Sequence, residues 1–396
     1  MDKHSLEKNI WKYNFIKFLK SMLFFIPILV LFFQDKGLSM SEILLIQSIY
    51  SIFVVVMEIP TGILADKFGH KNSIILSLFS FTLGIGMYYI SSSFILFLIA
   101  ELCMGLGTSL FSGSSDSFLF GSLKKLGREK EFKKINGRSF NYALVGYFIS
   151  SFLGGFIADY YSLDIVVLIT LLFFIVAFLF SLSLVDPNAK DRKSKLSFIE
   201  TFQESSKFVF KDKHIFWMFL FFCIFMMFNL TIEWFYQPYL QFINLDLKYF
   251  GLVFSIMALS AMPISHYSHL IEERLGFKKS ILLVTILLLT LFIGLYSINS
   301  YWSILFIVMV PSMKIFLTLI TTDFLLKKVS HEISATVVSF FSMGKQFFFA
   351  LFAPFLGYLF DIYGLRELIL IDSILFVSIF IIFGIMHKIL KIDLIN

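Results

Sequence analysis

Four charged side chains lie inside long apolar stretches of this sequence, and they are its strongest candidates for chemistry. Glu101 and Glu233 are acids, whereas Lys314 and Lys345 are bases. In a hydrocarbon environment such groups are costly unless they face a partner, a polar cavity or water, so each is a functional candidate by default. Side chains of these types can carry protons or hold a charged solute.

The depth of these groups within their apolar runs suggests different roles. Lys314 and Lys345 lie near the middle, where a lysine cannot extend its ammonium group to water, so each needs a carboxylate, a water-filled cavity or an anionic substrate. Glu101 and Glu233 have no base close in the sequence. A carboxyl buried without a base favours its neutral form, which suits proton coupling. Asp372, in the last apolar run, is expected to have a packing role.

Further polar residues extend this candidate site. Asp116 shares a helical face with Glu101, and we expect it to form an ion pair with Lys17 or Lys20, which lie at a similar depth. Lys17 and Lys20 could instead extend to the inner surface, and Asp116 and Asp323 could instead cap helix ends. The expected pathway for substrate or protons comprises Lys17, Glu101, Asp116, Asn229, Glu233, Lys314, Asp323, Lys345 and Gln346.

The composition requires lipid as the solvent of this chain. Of its 396 residues, 58% are hydrophobic and only 15% are charged, whereas soluble domains have about 25% charged residues. Cys103 and Cys223 both lie in apolar runs, so neither a disulfide framework nor a cysteine-based zinc site is expected. The spacing of His266, His269 and Glu272 has no supporting third motif, so we predict no metal, no cofactor and no enzymatic activity. A nucleotide-binding loop is also missing from the sequence, so ATP is not the expected energy source.

The apolar runs predict an all-α integral membrane protein. A helix needs about 20 mostly apolar residues to cross a bilayer, and these runs are too long, and alternate too little, for the strands of a β-barrel. Twelve runs of the required kind can be counted. They cover roughly residues 14–33, 42–64, 73–91, 94–121, 139–159, 163–185, 214–238, 248–271, 279–298, 301–326, 334–360 and 366–387.

The positions of lysine and arginine predict the orientation of these spans. With the N-terminus inside, 26 of the 33 basic residues fall in cytoplasmic segments and three in outside loops, and the other four lie within spans. Such an asymmetry is typical of membrane proteins, and it would be lost if one span in the middle of the chain were missing. We therefore expect a multi-pass protein of the cell membrane with both termini in the cytoplasm. The net charge of +6 needs no nucleic-acid partner.

The chain is expected to consist of two related halves. The longest polar stretch, residues 186–213, is predicted to be a cytoplasmic linker between six-helix bundles at 1–185 and 214–396. A shift of 207 residues aligns residues 45–76 with 252–283, with eight identities that include a glycine and a lysine of one polar loop. Apolar composition does not explain matches in a polar loop, so the alignment indicates an internal repeat.

The loop after the second span carries a recognisable pattern. Gly62 is followed by Asp66, Lys67, Gly69 and Lys71, between spans two and three and on the predicted inner side. Glycines permit close helix contact and tight turns, the lysines favour the anionic inner face, and the aspartate can face a helix N-terminus. This pattern resembles the signature loop of the major facilitator superfamily, and twelve spans in two halves extend the resemblance to the whole chain.

Shorter echoes of the loop occur on the predicted outer side. Gly155 and Asp159 follow span five, and Gly357 and Asp361 follow span eleven, with the same internal spacing. A motif that recurs three helices later on the opposite face is what inverted three-helix repeats leave behind.

The resemblance implies a fold and a set of roles. It implies that the signature loop, Gly62, Asp66, Lys67, Gly69 and Lys71, is a conformational switch between the halves, and that spans one, four, seven and ten line a central cavity. It also suggests the drug–proton antiporters of this superfamily. Two departures weaken that likeness, because Glu101 replaces an expected arginine in span four and a Ser-Ser pair replaces Gly-Pro in span five. The glycines expected to serve helix packing are Gly105, Gly146, Gly154 and Gly155.

Three functions are compatible with these features. The first is a monomeric secondary transporter working by alternating access, which exports hydrophobic or amphipathic small molecules with protons as the coupling ion. The second is an importer of a small anionic nutrient, which would bind at Lys314 and Lys345. The third, from another class, is a membrane sensor that transports nothing. Substrate, direction and coupling ion are not determined by the sequence, because fold alone does not define function.

Overall fold

A computed structural model describes residues 3–187, 206–329 and 331–389, and all regular structure in these ranges is helical. Eleven of the described helices are long and apolar enough to cross a membrane, which confirms the all-α membrane fold. Most of the predicted linker, residues 188–205, lies outside the described residues. The α-helices are α1 (Lys3–Lys20), α2 (Leu29–Asp35), α3 (Met40–Phe68), α4 (His70–Ile90), α5 (Phe94–Lys125), α6 (Phe132–Tyr160), α7 (Leu163–Ser181), α8 (Lys213–Phe242), α9 (Phe250–Leu275), α10 (Phe277–Ser297), α11 (Ile304–Lys328), α12 (His331–Tyr363) and α13 (Leu365–Ile389).

The first predicted span, residues 14–33, is not one continuous helix. Helix α1 ends at Lys20, a 3₁₀ turn covers Ile26–Ile28, and the short apolar helix α2 follows. Pro27 lies in the 3₁₀ turn, and proline removes a backbone donor and disfavours a helical conformation of the residue before it. The first of the twelve predicted spans is therefore a broken helix whose carbonyl groups need partners other than their own helix.

Helix α6 supplies small residues against this break. A Cβ atom on Gly146 would lie 2.8 Å from the carbonyl oxygen of Phe18, and one on Gly154 would lie 2.1 Å from that of Phe24. Between these two glycines, Ser150 Oγ donates a hydrogen bond to the carbonyl oxygen of Ser21 at 3.3 Å. The small-residue face of α6 thus brings its backbone against α1 and the segment that follows it, and supplies a donor to the interrupted helix.

Contacts divide the chain into two compact units. One comprises Met1–Leu38, Ile49–Lys195 and Asp246–Leu252, and the other comprises Ser39–Ser48, Leu196–Leu245 and Val253–Asn396. The larger blocks resemble the two predicted halves, although a short segment of each half has most of its contacts in the other unit. The predicted domain boundaries themselves remain a prediction.

The two repeats begin their third helices in the same way. Gly69 precedes α4 with a φ of 94°, and Gly276 precedes α10 with a φ of 76°. Both angles lie in the left-handed region that favours glycine, as expected for the tight turn at Gly69. At Gly62 itself a Cβ atom would meet nothing within 4 Å, but one on Gly113 of α5 would lie 3.9 Å from the Cα atom of Gly62. Helices α3 and α5 therefore approach each other at Gly62, and its role in helix packing stays a prediction.

Two aspartates make hydrogen bonds at helix starts. In the second unit, Asp361 near the end of α12 accepts hydrogen bonds from the backbone N–H groups of Met40 and Ser41, at 2.9 and 2.8 Å. A carboxylate at this position accepts hydrogen bonds from backbone N–H groups that have no partner within α3. Its negative charge also interacts favourably with the positive end of the α3 helix dipole. Asp212 makes the equivalent contacts at the start of α8, where its Oδ1 accepts from His214 N at 2.8 Å and Ile215 N at 3.1 Å.

The cap formed by Asp212 gives a testable pH dependence. Partial burial alone raises the pKa of Asp212, but the hydrogen bonds from Ile215 and His214 outweigh it and bring the pKa below its ordinary value. The stabilisation is therefore complete above the ordinary aspartate pKa of about 4 and is lost as the pH falls below it. We expect Asp212→Ala to lower the free energy of unfolding by about 1 kcal/mol at pH 7, with a smaller difference at acidic pH.

Thermal unfolding of the purified chain in detergent between pH 2 and 8 measures this effect. Asp212→Asn is the matched control, since asparagine caps helices without titrating. A difference between wild type and Asp212→Ala that is the same at every pH would contradict the assignment.

Candidate functional site

A close ion pair joins α8 to α11 in the second unit. Lys314 Nζ donates to both carboxylate oxygens of Glu233, at 2.9 and 2.8 Å. The side chains are 32% and 25% exposed, so both charges are largely withdrawn from the surface. Lys314 was expected to need a carboxylate, and Glu233 supplies it. The expectation that Glu233 lies apart from any base is wrong, because the base comes from a helix 81 residues further along the chain.

A second connection between the same helices lies one turn away. Asn229 is fully buried, and its Nδ2 donates to the carbonyl oxygen of Val310 at 3.1 Å. Asn229 precedes Glu233 by one turn of α8, and Val310 precedes Lys314 by one turn of α11. Two successive polar contacts thus fix the register of the helices that hold the ion pair.

Lys345 adds an uncompensated positive charge to this pair. It lies on α12, half-buried, and its electrostatic neighbours are Lys314, Glu233 and the thiol of Cys223. In the part of the chain that the structure describes, its ammonium group makes neither a hydrogen bond nor an ion pair. Gln346, the next residue, is also half-buried. We call Lys314, Glu233 and Lys345 the basic cluster; two lysines and one glutamate give it a formal charge of +1.

Glu101 has a partner that the sequence did not indicate. The hydroxyl of Tyr88 on α4 donates to Glu101 Oε1 at 2.5 Å, and the glutamate is only 4% exposed. The tyrosine ring packs edge-on against Phe33 and in tilted contact with Phe97, with centroids 5.4 and 5.8 Å away. Glu101 therefore lies in an aromatic enclosure of the first unit. In the sequence, this contact is indicated only by the short connection between α4 and α5, which keeps Tyr88 and Glu101 on neighbouring helices.

The predicted ion pair of Asp116 is present in the first unit. Lys17 Nζ lies 3.5 Å from Asp116 Oδ1, and the hydroxyl of Tyr13 donates to the same oxygen at 3.1 Å. Asp116 also borders an open cavity of about 740 Å³, together with His70 and Lys124. Lys20, the alternative partner, lies over aromatic rings instead. The pair thus stands at a polar, accessible edge of this unit.

Other predicted residues are not brought into these clusters. Asp323 forms an ion pair with Lys327 one turn later on α11, as expected for a charge at a helix end. Asp66 is exposed, and among the described residues it makes neither a hydrogen bond nor an ion pair. Lys67 is also exposed, and its ammonium group lies 5.8 Å from the centre of the Phe68 ring, while Lys71 is half-buried.

Two of the glycines proposed for helix packing lie close to other elements of the first unit. Gly105 on α5 would place a Cβ atom 3.0 Å from the ring of Phe53 on α3, and one on Gly155 would lie 2.7 Å from the backbone nitrogen of Gly251. Near Gly105, the hydroxyls of Tyr50 and Thr108 are 3.1 Å apart. The polar face of α5 therefore lies close to α3, and an enlarged side chain at Gly105 would crowd the ring of Phe53.

The sequence of this chain matches a known protein family. The sequence profile described as Major Facilitator Superfamily matches residues 14–347. The uncharacterised MFS-type transporter YxaM of Bacillus subtilis is 25% identical over 260 residues, 63% of each chain. The uncharacterised MFS-type transporter MJ1560 of Methanocaldococcus jannaschii is 31% identical over 162 residues, 40% of each chain. The matched segments thus span less than two thirds of these relatives.

Solved structures agree in fold. The nucleoside transporter NupG superposes with a TM-score of 0.83 at 16% identity, covering 96% of this chain and 99% of its own. A bacterial homologue of the human lysosomal transporter Spinster superposes with a TM-score of 0.69 at 14% identity, covering 93% and 86%. Identities this low show a common fold and carry no information about the substrate.

Proposed function

Because the chain belongs to the Major Facilitator Superfamily and is thus a secondary transporter, not an enzyme, we propose that it is a proton-coupled carrier of amphipathic organic anions that works by alternating access. The observation that carries this proposal is the charge imbalance of the basic cluster. Glu233 is already neutralised by Lys314, whereas Lys345 has no anion of its own among the described residues. A substrate carboxylate or phosphate would supply the missing charge.

The energetics of burial favour this arrangement. A half-buried ammonium group in a membrane protein is costly when it has neither water nor an anion, so an anionic substrate gains more from Lys345 than a neutral one does. The Lys314–Glu233 pair lets the cluster exchange partners as well. A proton taken up by Glu233 would leave Lys314 free to bind the substrate, which links proton binding to substrate binding.

Flux into proteoliposomes tests this proposal. The purified chain is screened with a panel of radiolabelled organic anions, nucleosides and lipophilic cations, each with and without an imposed pH gradient. We expect proton-dependent flux of an anion, reduced at least tenfold in Lys345→Gln. Lys327→Gln is the matched control, since that lysine pairs with Asp323 at a helix end, and it should transport normally. Flux confined to neutral or cationic compounds, and unaffected by Lys345→Gln, would reject the proposal.

Export of hydrophobic compounds, in the manner of drug–proton antiporters, is the second candidate. It is favoured by Glu101, a carboxyl enclosed by Tyr88 and other aromatic rings, which would suit an uncharged or cationic drug. Under this function Glu101→Gln abolishes resistance to toxic compounds in a deletion strain, whereas Lys345→Gln does not. The direction of transport follows from the sign of the pH gradient that drives flux.

The remaining proposals concern the conformational switch, the membrane location and the oligomeric state of the carrier. The signature loop from Gly62 to Lys71 is proposed to act as the conformational switch, and the cell membrane to be its location with both termini in the cytoplasm. A monomer is the proposed functional form. Cysteine accessibility at the two ends of the chain and light scattering in detergent measure orientation and oligomeric state, respectively.

A further inference from the structure

Asp372 is an unexplained acid in the interior of the second unit. It lies on α13 and is only 3% exposed, and its Oδ1 is buried without a hydrogen-bond partner. Most buried polar atoms in proteins have a partner, and each exception calls for an explanation. The packing role expected from the sequence does not provide one, since leucine or valine would pack at this position without the cost of a buried carboxyl.

The carboxyl group borders a small cavity. The cavity has a volume of about 20 Å³, which is room for about one water molecule. Its walls come from α8, α10, α11 and α13 and are mainly apolar, with Phe292, Ile307 and Leu368 among them. The titratable side chains on these walls are Asp372 itself and two tyrosines.

Both tyrosines have hydrogen bonds of their own. The Tyr239 hydroxyl lies 3.1 Å from the carbonyl oxygens of Leu295 and Ile298, and that of Tyr236 accepts from Gln237 Nε2 at 3.1 Å. No lysine, arginine or histidine among the described residues lines the cavity, from any of the four helices. On α13 itself, Arg366 lies over the ring of Tyr296, 5.1 Å from its centre, and Glu367 is exposed.

The surroundings of Asp372 determine which kind of ligand its carboxyl group can bind. A metal cation requires several oxygen ligands around it, and the walls provide mostly carbon. On these walls an ionised carboxylate would face no base, and Asp372 Oδ1 accepts no hydrogen bond in the described structure. A proton removes the charge and needs no further ligand, and the space for one water provides its carrier.

We propose that Asp372 is a proton-binding site of the second unit, separate from the basic cluster. The inference deepens the proposed proton coupling, on which it rests, by naming a residue that takes up the proton. On release, the O–H bond of the carboxyl breaks and the proton passes to a water molecule, for which the cavity has room, and a carboxylate is left behind.

The cavity and the basic cluster share helix α8. Ile232 and Tyr236 on α8 line it, and they flank Glu233 in the sequence, whose side chain binds Lys314. A carboxylate at Asp372 would have to draw in water, and the space for that water must come from separating α13 from α8 and its neighbours. The protonation state of Asp372 therefore acts on the helix that carries Glu233.

Infrared difference spectroscopy of the purified chain in lipid tests the site without any substrate. During a titration from pH 5 to 10, wild type should show the carbonyl stretching band of a protonated carboxylic acid, and the band should disappear as the pH rises. Asp372→Asn should lack this band, whereas the control Asp323→Asn should keep it. The proposal is overturned if the spectra of wild type and Asp372→Asn are the same apart from the amide band of the new asparagine side chain.

Transport assays separate proton binding from packing. With the substrate found by the flux screen, Asp372→Asn should reduce gradient-driven transport at least tenfold but should retain substrate exchange when the pH is equal on both sides. Asp372→Leu should behave in the same way. Full gradient-driven transport by both variants overturns the proposal. The infrared result does not depend on the substrate, so a failed screen would count against the proposed function and not against the site.

Discussion

Replacing Lys314 by alanine is expected to lower the free energy of unfolding by about 1–3 kcal/mol, the usual cost of leaving a polar group in the interior without its partner. The carboxylate of Glu233 would remain in the interior of the second unit without the base that now lies 2.8 Å away. Glu233→Ala should have a similar effect, because it leaves Lys314 beside Lys345, which has the same charge. Thermal unfolding of the purified variants in detergent measures both changes.

Removing both charges distinguishes the pair from simple packing. Apolar residues of similar volume often replace a buried ion pair without loss of stability, so Lys314→Leu with Glu233→Leu should be more stable than either alanine variant. Transport should nevertheless be abolished, since the doubly substituted chain keeps only Lys345 of the basic cluster. If the effects of Lys314→Ala and Glu233→Ala on stability were simply additive in the double alanine variant, the two side chains would not be coupled, and the assigned ion pair would be wrong.

The sequence predicted which residues matter better than it predicted how they pair. Lys314 and Glu233 were both identified from the cost of burying charge, but their contact joins helices 81 residues apart. Periodicity within one helix contains no information about such a contact. Asp116 and Lys17 were predicted as partners because both lie toward the inner ends of their spans, and depth is one coordinate that hydropathy does reveal.

The fold itself was largely predictable because lipid imposes simple rules. Length and apolarity identify spans, and the distribution of basic residues predicts their orientation. The exception is the first span, where Lys17, Lys20 and Pro27 reduced the apolar signal and the helix is in fact broken. The role of Asp372 was missed for another reason. It continues the buried face of Leu365, Leu368 and Ile369, so periodicity alone makes it resemble a core position.

The break in the first span gives Gly154 a large expected effect on packing. A Cβ atom at this position would lie 2.1 Å from the carbonyl oxygen of Phe24, a distance at which one backbone must move away from the other. We expect Gly154→Ala to lower the free energy of unfolding by about 3 kcal/mol, the upper range for overpacking. Gly154→Val should prevent the chain from folding. Thermal unfolding in detergent and recovery of monodisperse protein measure these outcomes.

A second glycine on the same helix provides the matched control. At Gly137 an added Cβ atom would meet nothing within 4 Å, so Gly137→Ala should be neutral or stabilise α6 by up to about 1 kcal/mol through helix propensity. The contrast between the two alanine variants isolates the contact from propensity, since both changes remove a helical glycine. Moving α6 away would also separate Ser150 from the carbonyl oxygen of Ser21, which would then keep only its hydrogen bond from the backbone N–H of Leu23 at 2.9 Å. Equal stability of Gly154→Ala and Gly137→Ala would mean that α6 does not lie against the broken segment, and that its carbonyl groups have partners elsewhere.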